Sequence, residues 1–175
     1  MALQIGIGVL ALIALLVVLI SMRPARFRIA RSAEINASGE RVFSLLNDFH
    51  EWAKWSPWEK LDPAMKKTFN GAEAGKGARY SWLGNSKAGE GHMTILESKP
   101  NELVLLELEF LKPFPAKNKT TFKLSSSAGG TEVQWIMEGE HNFSGKAFAL
   151  LMNMDKFLGK DFEQGLANLN TAAQS

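Results

Sequence analysis

Apolar positions along this chain fall into three patterns: an unbroken run, alternation with period two, and recurrence at helical spacing. The unbroken run comes first. From Ala2 to Ser21 the residues ALQIGIGVLALIALLVVLIS carry no charge. At about 1.5 Å per residue, a helix of this length reaches roughly 30 Å, the hydrocarbon thickness of a bilayer. Residues 1–22 are therefore expected to form a transmembrane anchor, followed by a basic linker at 23–25 and a single domain over 26–175.

Alternation begins at Arg26, where Phe27 and Ile29 oppose Arg26 and Arg28, and predicts a half-buried strand to Ile35. Ser38 then suits a helix N-cap, with Val42, Phe43, Leu45 and Leu46 on one face. Trp52 and Trp55 are spaced for a short helix ended by Pro57, since Ser56 before it is pushed toward extended geometry. After Asp62-Pro63 the chain turns to strands. Tyr80 and Trp82 share a face with Ala78; Leu106, Leu108 and Phe110 share one with Val104; Phe122 and Leu124 lie with Thr120; Trp135 and Met137 lie with Val133. Met93 and Ile95 are the expected inward pair of the strand between. One wet face and one apolar face predict an antiparallel sheet covered on one side. The cover is expected to be one long helix from Ser144 to about Leu169, with Phe148, Leu151, Met154, Leu158, Phe162, Gly165 and Leu169 at steps of three and four. Gly159 and Gly165 inside it imply close packing, a bend, or space beneath.

Charge changes the picture at the amino terminus. Arg23, Arg26, Arg28 and Arg31 crowd the carboxyl side of the apolar run, and no basic side chain precedes it. A cleaved signal peptide would want a basic n-region, a shorter apolar stretch and a small-x-small site, so an uncleaved anchor is the expectation. The positive-inside rule keeps the domain in the cytoplasm. Of the 20 Lys and Arg residues those four fall in residues 1–31, leaving 16 against 18 acidic side chains beyond them. That balance is no nucleic-acid footprint. The absence of cysteine excludes disulfides, thiol catalysis and thiolate metal sites.

Candidate chemistry is sparse. His50, His92 and His141 show no ligand spacing, so neither a metal nor a cofactor is expected. Gly71, Gly75 and Gly77 in GAEAGKGARY lack the Lys-Ser or Lys-Thr and the helix of a phosphate loop. Asp48, Glu51, Glu59 and Asp62 read as solvated carboxylates beside helices, and no catalytic residue is assigned. What remains is aromatic: HEWAKWSPWEK places Trp52, Trp55 and Trp58 within seven residues. They either plug a core or frame an opening to an apolar pocket.

The stretches AEINASGERVFSLLNDFHEWAKWSPWEKLDPAM, FNGAEAGKGARYSWLGN, GEGHMTI and VQWIMEG resemble, in this order, the START-like (SRPBCC) superfamily, in particular its polyketide cyclase/dehydrase and lipid-transport group. The resemblance spans residues 26 to 172. It implies an α+β helix-grip fold, a sheet packed on a long carboxyl-terminal helix with a cavity for a hydrophobic small molecule, in a bacterial inner-membrane setting. It transfers no catalytic residue. Strand parity and helix face, not the resemblance, select the candidate lining: Trp52, Trp55 and Trp58 at the mouth, Tyr80, Trp82, Leu106, Leu108, Phe110, Phe122, Trp135 and Met137 from the sheet, and Phe148, Leu151 and Leu158 from the helix. The leading expectation is an anchored carrier for a lipid-like molecule, contacting the membrane through residues 2–21. A cyclase or dehydratase acting on a hydrophobic substrate, and a co-chaperone-like interaction module, are the alternatives.

Overall fold

A computed structural model describes the backbone of residues 2–175 and the side chains from Gln4 onward except that of Leu151. Helix α1 (Ala2–Ser21) is followed by strand β1 (Arg26–Ile35) and helix α2 (Gly39–Asn47). Two 3-10 helices come next, Phe49–Lys54 and Pro57–Lys60. Six strands follow: β2 (Lys66–Gly71), β3 (Ala78–Leu83), β4 (Glu90–Lys99), β5 (Leu103–Lys112), β6 (Ala116–Ser127) and β7 (Gly130–Glu140). Helices α3 (Phe143–Leu151) and α4 (Met154–Ala173) close the chain.

The strands form one antiparallel sheet in the order β1-β7-β6-β5-β4-β3-β2. Its inner face carries the parity sets expected from the sequence, and α2, the 3-10 helices and α4 pack upon it. This is the expected α+β helix-grip arrangement. Ser38 caps α2 by accepting from the Arg41 N–H at 3.3 Å, and Ser56 is extended before Pro57, which starts the second 3-10 helix. The carboxylate of Asp62 accepts from the backbone N–H of Ala64 (3.0 Å) and Asn85 (2.7 Å), tying the second 3-10 helix to the β3–β4 turn.

The carboxyl-terminal helix is not continuous, contrary to the sequence expectation. Met152 is extended, and the Asn153 side chain accepts from the Lys156 N–H at 3.0 Å, which starts α4 as a new helix. Apolar spacing runs on through the break because both helices are amphipathic. Periodicity reports the buried face but not the continuity of the backbone.

Register divides the sheet into two ends. Pairings Arg26↔Glu140, Phe110↔Ala116 and Leu83↔Glu90 place the start of β1 beside the β5–β6 and β3–β4 connections. The chain enters this end from α1 and leaves it from β7 into α3, which packs against α1. We call it the near end. α4 holds the opposite half: Arg31 reaches both carboxylate oxygens of Asp155 at 3.1 Å and Glu163 at 2.7 Å, while Asn170 accepts from the Asn36 N–H at 2.8 Å.

Candidate apolar groove at the near end of the sheet

The far half of the inner face is filled by rings. Trp55 and Trp135 are each 1% exposed and Phe122 and Phe162 are fully buried. Trp135 stacks on Phe162 at 4.3 Å and meets Trp55 and Trp58 edge-on at 5.6 and 5.5 Å. The indole N–H groups of Trp52 and Trp55 donate to the carbonyls of Leu46 and Leu45, at 3.1 and 3.0 Å. Each aromatic pair adds about 0.5–1.5 kcal/mol beyond burial, so this cluster is a stabilising centre. Gly165 makes it possible, because a Cβ there would lie 2.6 Å from the Trp135 ring. Gly159 similarly leaves room for the Arg31 guanidinium. Close packing is thus what both helix glycines supply. Trp52 and Trp55 plug the core rather than frame a mouth.

Burial loosens toward the near end. Across the sheet the residues Tyr80, Met93, Leu108 and Asn118 form one transverse row, and Trp82, Gly91 and Phe110 form the row beyond it. Met93 and Leu108 are each 8% exposed, Asn118 7% and Trp82 9%, whereas Val104, Phe122 and Val133 deeper in are at 0%. Phe110, Trp58, Leu158 and Phe27 are only partly buried around them. The reason is the reach of α4, whose buried positions begin at Gly159 and run to Ala173, over the Arg31–Trp135 row and beyond. Coverage of the inner face therefore thins toward the near end, which makes this region the candidate apolar groove.

Its walls are braced. The Trp82 indole N–H donates to the Ala88 carbonyl at 3.0 Å, and the ring meets Phe110 edge-on at 5.7 Å. Gly91 lets it lie flat on β4, since a Cβ there would stand 2.6 Å from the ring. The Tyr80 hydroxyl donates to Glu59 at 2.9 Å, and Glu59 also pairs with Lys67. Burial, then the charge of Glu59, raises the Tyr80 phenol well above its ordinary value, so it stays protonated. Two buried polar groups on the same inner face, the Thr120 hydroxyl and the Trp135 indole N–H, find no hydrogen-bond partner among the described residues. Buried polar groups normally do; the Trp135 indole lies within the ring cluster, whereas Thr120 lies one row nearer the near end.

Of the candidate lining residues, Tyr80, Trp82, Leu106, Leu108 and Met137 are buried on the inner face, and Phe110, Trp58 and Leu158 are partly buried against the same core. Phe122 and Trp135 lie deeper, in the filled half. Phe148 is 46% exposed on α3, outside the groove, and the Leu151 side chain lies outside the described residues. Parity extends β6 to Asn118, a buried inner-face residue that the sequence reading did not include. Among the histidines, His50 contacts Asp48 at 2.8 Å and His92 contacts Glu109 at 3.3 Å, while His141 stacks on Phe27 at 4.5 Å. Among the described residues no three His, Asp or Glu side chains group as a metal site would.

The fold is shared with solved structures of low sequence identity. Protein CV1439 from Chromobacterium violaceum is 18% identical with a TM-score of 0.60, over 87% of this chain and 99% of that one. Protein MLL2253 from Mesorhizobium loti is 16% identical with a TM-score of 0.62, over 85% and 97%. The Aha1 dimer from Colwellia psychrerythraea is 16% identical with a TM-score of 0.60, over 84% and 96%. No curated protein matches the sequence. The sequence profile for polyketide cyclase / dehydrase and lipid transport does match, over residues 26–174, and the chain belongs to that family.

Proposed function

We propose that this protein is a membrane-anchored binding or transport protein for a lipid-like molecule, which it holds in the near-end groove with the domain in the cytoplasm. One observation carries the reading: the inner face is less fully covered toward the end where the apolar helix α1 joins the domain. From Gln4 to Leu19 α1 is exposed, and its Gln4–Ser21 stretch is long and apolar enough to cross a bilayer. The Arg-rich flank after it supports the cytoplasmic side. A hydrophobic guest with an oxygen or nitrogen at one end suits the groove, because its body would lie on Met93, Leu108 and Phe110 and its polar end could reach Asn118 or Thr120. Such pockets bind through apolar area and take orientation from a few polar groups. Family membership supports a hydrophobic ligand, although fold alone does not decide between carrying and converting it.

The test is native mass spectrometry of the full chain released from lipid nanodiscs, beside the variant Leu108→Trp, which fills the groove floor. A bound lipid-like molecule at one copy per chain in the wild type, lost in a variant with unchanged far-ultraviolet circular dichroism and a cooperative thermal transition, is the expected result. Equal loading of both would remove the groove from consideration, and an empty wild type would remove the carrier reading.

A further inference from the structure

The near end is apolar on its outside as well as within. Phe114 in the β5–β6 connection is 73% exposed, and Leu111 beside it and Leu83 at the tip of β3 are exposed too. On α3, Phe143 and Phe148 are exposed. Large apolar groups gathered at one end of a molecule mark a surface that meets something apolar.

The position of α1 says what that is. α3 packs against α1, and the Lys146 ammonium donates to the Ser21 carbonyl, the last residue of α1, at 3.1 Å. Only Met22, Arg23, Pro24 and Ala25 separate α1 from β1, and the His141 N–H donates to Ala25 at 2.7 Å, binding the exit of β7 to this linker. If α1 spans a bilayer, α3 and the near-end connections are therefore held at the level where the span leaves it. A lipid interface accepts aromatic side chains while basic heads remain among the headgroups.

We infer that the near end is seated in the membrane interface, with Phe143 and Phe148 of α3 and Phe114 of the β5–β6 connection reaching below the headgroups, so that the groove opens toward acyl chains rather than water. The inference rests on the anchor reading of α1 and deepens it: the occupant of this surface is the same bilayer that α1 crosses. A guest then enters the groove without its apolar body crossing bulk water.

Because the chain has no cysteine, each single label is the only thiol and no background cysteine has to be removed first. The full chain is reconstituted into phosphatidylcholine–phosphatidylglycerol vesicles with a nitroxide at Phe148→Cys, Phe114→Cys, Leu12→Cys or Ala128→Cys. Power saturation then compares collision with oxygen, which concentrates in lipid, and with a water-soluble nickel chelate. The expected result is lipid-like accessibility at Leu12, intermediate depth at Phe148 and Phe114, and full water exposure at Ala128, in the β6–β7 turn at the far end. Water-like accessibility at Phe148 and Phe114 with Leu12 in lipid would overturn the inference and leave the anchor standing. Water-like accessibility at Leu12 would overturn the anchor reading, and the inference with it.

Discussion

The hydroxyl of Thr120 is a buried group with no hydrogen-bond partner among the described residues. Leaving such a group unsatisfied costs about 1–3 kcal/mol, so a residue selected only for packing would lack it. Thr120→Val should therefore leave the ligand-free protein as stable or raise its stability by about 1 kcal/mol, read as the urea midpoint. In the carrier reading the same substitution weakens retention of the guest in competition with wild type. Lower stability together with unchanged retention would return Thr120 to the core. Asn118 differs, because its carbonyl oxygen occupies the space that a side chain at Gly139 would need. A polar side chain on an apolar face is readable from β6 parity, yet its purpose depends on what lies across the strand.

At the scale of elements, the strands and their inward faces were legible because alternation records burial directly. β1 spans Arg26–Ile35 as expected, and the inward sets of β3 to β7 face the core. Less was legible where backbone chemistry overrides periodicity. The break before α4 follows from the Asn153 cap, and β2, whose residues are all exposed, offers no apolar alternation to read. The tryptophan segment was ambiguous for a different reason. Burial of Trp52 and Trp55 depends on carbonyls of α2 and on rings from β6 and β7, contacts that spacing within the segment cannot express. α4 itself depends on the absence of a methyl group: in Gly165→Ala the helix gains about 1 kcal/mol of propensity but meets Trp135 at 2.6 Å and Pro57 at 3.2 Å. Overpacking of this kind costs about 1–3 kcal/mol, so a net fall in melting temperature is expected by calorimetry. A rise would show that the ring yields.

For the whole molecule, acid should be destabilising in two steps. Burial holds His141 below its ordinary 6.5. The unfolded chain therefore binds that proton first, and stability falls as pH drops below about 6.5 toward the lower folded value. The hydrogen bond from Arg31, and then its charge, hold Asp155 below its ordinary 3.8, despite opposing desolvation. Its contribution is present above the ordinary value and is lost as pH falls through the folded one. Thermal unfolding of the full chain across this range should show both declines. Asp155→Asn should flatten the lower one, and His141→Gln the upper.

The four residues between α1 and β1 have a consequence for traffic. Fully extended, four residues span about 14 Å, and here the Arg23 N–H already bonds back to Ile20 at 3.1 Å while Ala25 is held by His141. If α1 spans a bilayer, a domain on so short a leash cannot ferry cargo across a gap between two membranes. In the carrier reading its work is confined to the leaflet beneath it: drawing a molecule out of that leaflet, presenting it, or returning it there, with any onward journey left to a visitor that comes to the groove.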